Sequence, residues 1–146
     1  GKRYRYLIHA APHAGALDRR THAHVIYPLD VEKMRREALD LVGTHDFAAF
    51  AASGSVVKDT VRTIYRVEVS QHGSEICLIV EGNGFLYNMV RIIAGTLIGV
   101  GSGKLAPGAF RRAIESGSRL DLGVTAPAHG LTLMEVFYTL EEENKK

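Results

Sequence analysis

Polar and apolar residues alternate from the start of the chain. Tyr4 and Tyr6 recur at period two against Arg3 and Arg5, and the run continues into Leu7 and Ile8, so Lys2 to Ala10 predicts a strand with one basic and one aromatic face. Pro12, Gly15 and the His-rich stretch to His24 predict a loop, with Val25 to Tyr27 as a short edge strand. The period then lengthens to that of a helix. Asp30 is placed as an N-cap, and Val31, Met34, Ala38, Leu41 and Val42 form a buried stripe running to about Val42. Glu32/Arg36 and Lys33/Glu37 stand four apart and are expected on the outside, and Gly43 ends the helix. After Phe47 and Phe50 comes a polar loop, Ser53 to Asp59. Thr60 to Ser70 and Ser74 to Glu81 then predict two antiparallel strands about a turn at His72-Gly73. Phe85 to Val100 is almost wholly apolar and predicts a second helix. Pro107 suits the first turn of a third, Gly108 to Ser116, and Leu131 to Leu140 predicts a closing strand.

The order strand, helix, two strands, helix, helix, strand predicts an α+β fold, a mainly antiparallel sheet with helices packed on one face. No repeat or linker divides the 146 residues, so residues 1–146 are expected to form one domain. A content of 46% apolar and 23% charged residues is that of a chain able to bury a core, which excludes disorder as its main state. The single cysteine, Cys77, cannot form an internal disulfide, and its neighbours Ile76, Leu78, Ile79 and Val80 predict a buried, inert thiol. The basic, aromatic opening Gly1 to Tyr6 is unlike a signal peptide, and a cytoplasmic location is expected. The net charge is only +2, but residues 1–24 set Lys2, Arg3, Arg5, Arg19 and Arg20 against Asp18 alone. Basic charge is therefore gathered where a polyanion could be met.

Arg91 is the only charged side chain between Glu81 and Lys104. The surrounding run is short for a membrane span, and a central arginine is costly there, so no membrane is expected. The helix is apolar around most of its circumference, so a cover beyond the sheet, from another helix or a second copy, is expected. Helical spacing places Tyr87, Arg91, Gly95 and Gly99 on one row. Two readings stay open: an arginine that snorkels out of a core helix, or one aimed into a cleft at a carboxylate or phosphate. Histidines 9, 13, 22 and 24 lack a cysteine pair or a carboxylate at ligand spacing, and no metal is expected. No G-x-S-x-G, G-x-x-x-x-G-K-[ST] or G-x-G-x-x-G motif is present, which removes hydrolase, kinase and dehydrogenase readings.

Five motifs follow one another in order: Lys2-Arg3-Tyr4-Arg5-Tyr6, His45-Asp46-Phe47-Ala48-Ala49-Phe50, Thr60-Val61-Arg62, Phe85 to Gly95, and Thr125 to Leu133. Together they resemble the tRNA pseudouridine synthase A (TruA) family across nearly the whole chain. The resemblance implies conversion of uridine to pseudouridine in the tRNA anticodon stem-loop, with no metal or organic cofactor. The base must leave the helix for this chemistry, and the site needs a surface to receive it. Tyr4 matches the tyrosine that stacks on the target base and assists removal of the C5 proton. Arg91 matches the arginine that ion-pairs the nucleophilic aspartate, and Leu131 and Leu133 match the apolar wall beside the base. Arg3, Arg5 and Arg62 are expected to meet the substrate. The family places its aspartate in a Gly-Arg-Thr-Asp-Ala-Gly stretch, and none of Asp18, Asp30, Asp40, Asp46, Asp59 and Asp121 has that setting. The chain therefore resembles the C-terminal, ferredoxin- or RRM-like half of the catalytic domain. Its expected partners are tRNA, a second copy in a homodimer and an N-terminal half carrying the aspartate, and alone it is expected to be inactive. The rival reading is a stand-alone RNA-binding or dimerisation module without catalysis.

Overall fold

The computed structural model describes residues 1–14, 19–51 and 57–137. Gly15, Asp18, residues 53–56 of the polar loop and residues 138–140 of the expected last strand lie outside them. The described elements are β1 (Lys2–Ala10), β2 (Ala23–Val25), α1 (Val31–Ala38), β3 (Gly43–Asp46), β4 (Val61–His72), β5 (Glu75–Gly82), α2 (Met89–Ser102), α3 (Ala109–Ser116) and β6 (Leu131–Val136). Strand order is β2-β1-β5-β4-β3, with β6 also paired to β1. Every pairing is antiparallel except that of β2 with β1.

Register explains why one face is apolar. Tyr4 stands opposite Val80, Tyr6 opposite Leu78 and Ile8 opposite Ile76, while Val80 and Leu78 face Val67 and Val69 of β4. Residues directly opposite in a ladder share a face, so these side chains form one surface, and the helices cover it. β1 has two partners on its far edge, end to end. β2 takes Ile8 to Ala10 and β6 takes Lys2 to Tyr6, with an irregularity between Arg3 and Tyr4.

The structure corrects several expectations. Helix α1 stops at Ala38 and tightens into a 3-10 turn over Leu39–Leu41, which leaves Val42 exposed and outside the stripe. Glu37 is buried, not an outward partner of Lys33. Its two oxygens accept the backbone N–H groups of Gly108 (2.8 Å) and Phe110 (3.0 Å). The start of α3 has no side-chain cap of its own, and Glu37 satisfies its orphan donors from another helix. Glu32 meets Arg35, not Arg36. Gly43 to Asp46, a polar stretch not expected to form a strand, pairs with β4 as the edge strand β3. The strand expected over Val25 to Tyr27 lies instead at Ala23–Val25. Cys77 is half-buried and lies on the side of the sheet away from the helices; burial pushes its thiol up, keeping it protonated.

Helix α2 finds its cover within the chain. While Ile98 and Gly99 stay partly open along a cavity of about 640 Å³, the helix packs against the sheet, α1 and the segment 122–126. Gly95 makes the last contact possible: a Cβ there would lie 1.7 Å from the Val124 carbonyl oxygen. No helix among the described residues is long and apolar enough to cross a membrane.

Candidate active site

Leu86 to Met89 form a turn leading into α2, held by the Met89 N–H donating to the Leu86 carbonyl (3.0 Å), so Tyr87 lies before the helix and not on a helical row with Arg91. Asn88 closes the turn in the left-handed region (φ 64°), a conformation its short polar side chain tolerates. It occupies the N-cap, yet its side chain makes no capping bond. Its Oδ1 instead accepts a hydrogen bond from Arg91 Nη1 (2.9 Å). Arg91 Nε donates to the Ala126 carbonyl (2.8 Å), and the Ala126 N–H donates to the Arg91 carbonyl (3.0 Å). The half-buried guanidinium is thus fixed by neutral groups on two segments. Among the described residues no carboxylate lies within ion-pair range of it.

Tyr6 shows which side of the sheet this cation occupies. Its hydroxyl donates to the Pro127 carbonyl (2.6 Å). Burial pushes the phenol well above its ordinary pKa, while the positive charge of Arg91 pulls the other way. Arg91 therefore acts on the face that carries Tyr6 and Tyr4, and it neither snorkels to the opposite side nor is sealed in the core. A cavity of about 420 Å³ is lined by Tyr4, Phe85, Tyr87, Asn88 and Leu131, among others; Arg91 is not in its lining and is linked to it through the bond to Asn88. The Tyr4 and Phe85 rings meet edge to face, 5.2 Å apart at 89°. Tyr87 is 76% exposed. Gly130 lets the chain enter β6 hard against the Tyr6 ring, where a Cβ would approach to 2.7 Å. That entry sets Leu131 opposite Tyr6, lining the cavity, and Leu133 opposite Tyr4, where it is half exposed.

The structure brings Tyr4, Leu131 and Leu133 together on the Arg91 side and places Arg3 and Arg5 on the other. Arg3 Nε pairs with Glu81 (2.5 Å) and its Nη1 with Glu135 (2.7 Å); Arg66 joins the same Glu81 (3.0 Å). Burial opposes ionisation of Glu81, but hydrogen bonds from Arg66 and Arg3 hold its carboxyl below the usual range. Arg5 Nε is buried without a hydrogen-bond partner. Arg62, two residues before buried Ile64, shares the helix-side parity. Its Nη1 donates to the carbonyls of Asp59 and Val61, and it flanks Gly84, next to Phe85 of the cavity. Among the described residues no group of histidine, cysteine, aspartate or glutamate is arranged to hold a metal. His22 bonds Glu75 (2.7 Å) and His24 bonds the Ala11 carbonyl (2.9 Å). Sequence reasoning missed Asn88 and the Ala126-Pro127 carbonyls. The one available signal was a polar residue interrupting an apolar run at Asn88.

An arginine held by neutral acceptors beside an aromatic cavity suits a site that receives a flat ring and an anion. Residues 38–139, which contain all of these segments except β1, match the family model described as tRNA pseudouridine synthase. The chain belongs to this family. The tRNA pseudouridine synthase A of Bacillus licheniformis is 48% identical over 137 residues, covering 94% of this chain and 56% of that protein. Its counterpart in Acetivibrio thermocellus is 49% identical over 138 residues, and that in Ruminiclostridium cellulolyticum 50% over 139, each covering 94% of this chain and 57% of the relative. The chain thus spans little more than half the length of these curated synthases. The antiparallel sheet with helices on one face is consistent with the pseudouridine synthase fold.

Proposed function

We propose that the chain forms the tyrosine and arginine side of a tRNA pseudouridine synthase acting on uridine in the anticodon stem-loop, with the nucleophilic aspartate supplied from outside these 146 residues. One observation carries the reading: Arg91 is oriented by Ala126 and by Asn88, which lines the Tyr4 cavity, and no carboxylate among the described residues pairs with it. A guanidinium so held favours an incoming carboxylate in its charged form and fixes its geometry, which is what a nucleophile in a water-poor cleft requires. Tyr4, braced by Phe85, offers the face for the extruded base, and Leu131 the apolar wall. The aspartate breaks the glycosidic bond, the base turns, and carbon C5 is joined to the ribose. Loss of the C5 proton, assisted by the Tyr4 hydroxyl, restores the ring. Arg3 and Arg5 take no part in this chemistry in the proposal, whereas Arg62 serves the rim. The reading extends to a homodimer, for which sedimentation equilibrium is the direct test.

The chain alone should form no pseudouridine in unmodified tRNA. In the full-length enzyme Arg91→Lys should lose most of the turnover, because a compact ammonium cannot hold a carboxylate bidentately. Arg91→Met should lose more, since deleting one partner of a buried pair costs about 3–5 kcal/mol. Unchanged turnover of Arg91→Met, in a protein that still binds tRNA, would leave this arginine a packing role and sink the proposal.

A further inference from the structure

Among the described residues the cations differ in what holds them: Arg62, Arg91 and Arg112 donate to neutral oxygens, while others meet carboxylates or meet neither. Arg3, Arg35 and Arg66 are each committed to carboxylates: Arg3 to Glu81 and Glu135, Arg35 to Glu32, Arg66 to Glu68 and Glu81. Lys33, Arg36 and Arg111 are exposed, and among the described residues no carboxylate lies within ion-pair range of any of them. These three uncommitted cations line a single cleft of about 370 Å³ where α1 meets the start of α3.

We propose that this cleft is a contact for the phosphodiester backbone of RNA, made by Lys33, Arg36 and Arg111 and separate from the Tyr4–Arg91 cavity. The inference rests on the tRNA reading above. Lys33 and Arg36 are three apart on α1 and project from one face, and Arg111 closes the cleft from the first turn of α3. Glu37 forms the floor, but both of its oxygens are occupied by the Gly108 and Phe110 N–H groups, so it ties the helices together. Asp40 is the remaining acid in the lining, against three cations. Arg112 donates to the Pro107 and Ala106 carbonyls and so holds the entry to α3 in place.

The same floor selects the kind of anion. A lone phosphate would seek the free amides of a helix N-terminus, and here Glu37 already fills that position. What remains is a rim of separated positive charges with rigid backbone beneath. Such a rim suits a chain of spaced phosphates, whose binding is driven by counterion release.

The test is the affinity of the chain for an unmodified tRNA transcript, measured by fluorescence anisotropy over a range of salt concentrations. Lys33→Ala/Arg36→Ala/Arg111→Ala should weaken binding at low salt on the order of ten- to a hundredfold. It should also flatten the plot of log affinity against log salt by about 0.7–0.9 for each phosphate no longer neutralised. The charge-conserving Lys33→Arg/Arg36→Lys/Arg111→Lys should restore both, and Arg3→Ala, which removes an already neutralised cation, should change neither by much. Circular dichroism melts should coincide for the wild-type chain and the two triple variants, because the substituted side chains of the cleft are exposed. If the wild-type chain binds tRNA and the triple alanine variant matches it in affinity and slope, the cleft does not meet RNA while the tRNA reading stands. If the wild-type chain shows no salt-dependent tRNA binding, the tRNA reading and the cleft fail together. Displacement of tRNA by inorganic phosphate beyond that by chloride at equal ionic strength would assign the cleft to a single anion and overturn the proposal.

Discussion

Strand β1 divides two environments that treat the same charged group in opposite ways. On one face Arg3 is cancelled at once by Glu81 and Glu135, in a lattice that continues through Arg66 to Glu68. On the other, Arg91 is held by an amide oxygen and a carbonyl, and its charge remains available. The difference lies in register. Antiparallel pairing sets Glu81 and Glu135 directly opposite Arg3 on β5 and β6, whereas the positions opposite Tyr4 are Val80 and Leu133. A count of basic residues along the chain therefore says little about which of them can meet an anion. On the open face Arg3 and Arg66 are committed to carboxylates, and on the covered face Arg91 is not.

The comparison breaks most readily on the covered face. Gly95→Val would push a branched side chain into the Val124 carbonyl, which is backbone and cannot swing aside. A loss of about 3 kcal/mol is expected in urea unfolding. Displacement of segment 122–126 should also release Ala126 from Arg91, visible as faster amide exchange at Ala126.

The periods of two and of the helix exposed the core and its main elements, and β1 lies where they placed it because its alternation is long and strict. The same alternation showed that Arg3 and Arg5 share a face, but not that the helices would cover the other one. Glu37 looked like a surface residue because Lys33 stands four before it. Its burial is decided by donors 71 and 73 positions later. The singularity of Arg91 was legible, while its acceptor at Ala126 lies 35 residues away and the left-handed turn at Asn88 has no periodic signature.

A smaller effect is expected at Tyr6. Tyr6→Phe leaves the Pro127 carbonyl without its hydroxyl donor and should cost about 1–2 kcal/mol. Because burial raises the folded pKa of this phenol, its contribution is complete below the ordinary value of 10.0 and is lost as pH rises beyond it. Ultraviolet titration of the folded protein should show one tyrosine ionising last, and Tyr6→Phe should remove it.

The open face should yield least. Arg3→Ala is expected to cost at most about 1 kcal/mol, because Glu135 is half exposed and screened by water and salt while the more covered Glu81 keeps Arg66 as a partner. The lowered pKa of Glu81 gives a stabilisation present above the ordinary carboxylate value of 4.5 and lost as pH falls below it. Glu81→Gln should flatten that acid limb of the stability curve. A loss from Arg3→Ala as large as that from Gly95→Val would overturn the contrast between the faces.

The shared edge of β1 has a consequence for synthesis. Its Ile8 to Ala10 stretch is paired by Ala23 to Val25 of β2, early in the chain, but the far edge of the Lys2 to Tyr6 stretch waits for β6, and the Arg3–Glu135 pair spans 132 positions. β5 can pair one edge of that half-strand, but a nascent chain must carry the backbone groups of its far edge unpaired until Val136 has emerged, a long closure that slows folding. An unpaired edge invites another chain to add a strand, and charged side chains along it discourage the pairing. Lys2, Arg3 and Arg5 thus stand guard over the growing polypeptide, with Glu81 meeting Arg3 when β5 pairs and Glu135 adding the last partner when β6 arrives.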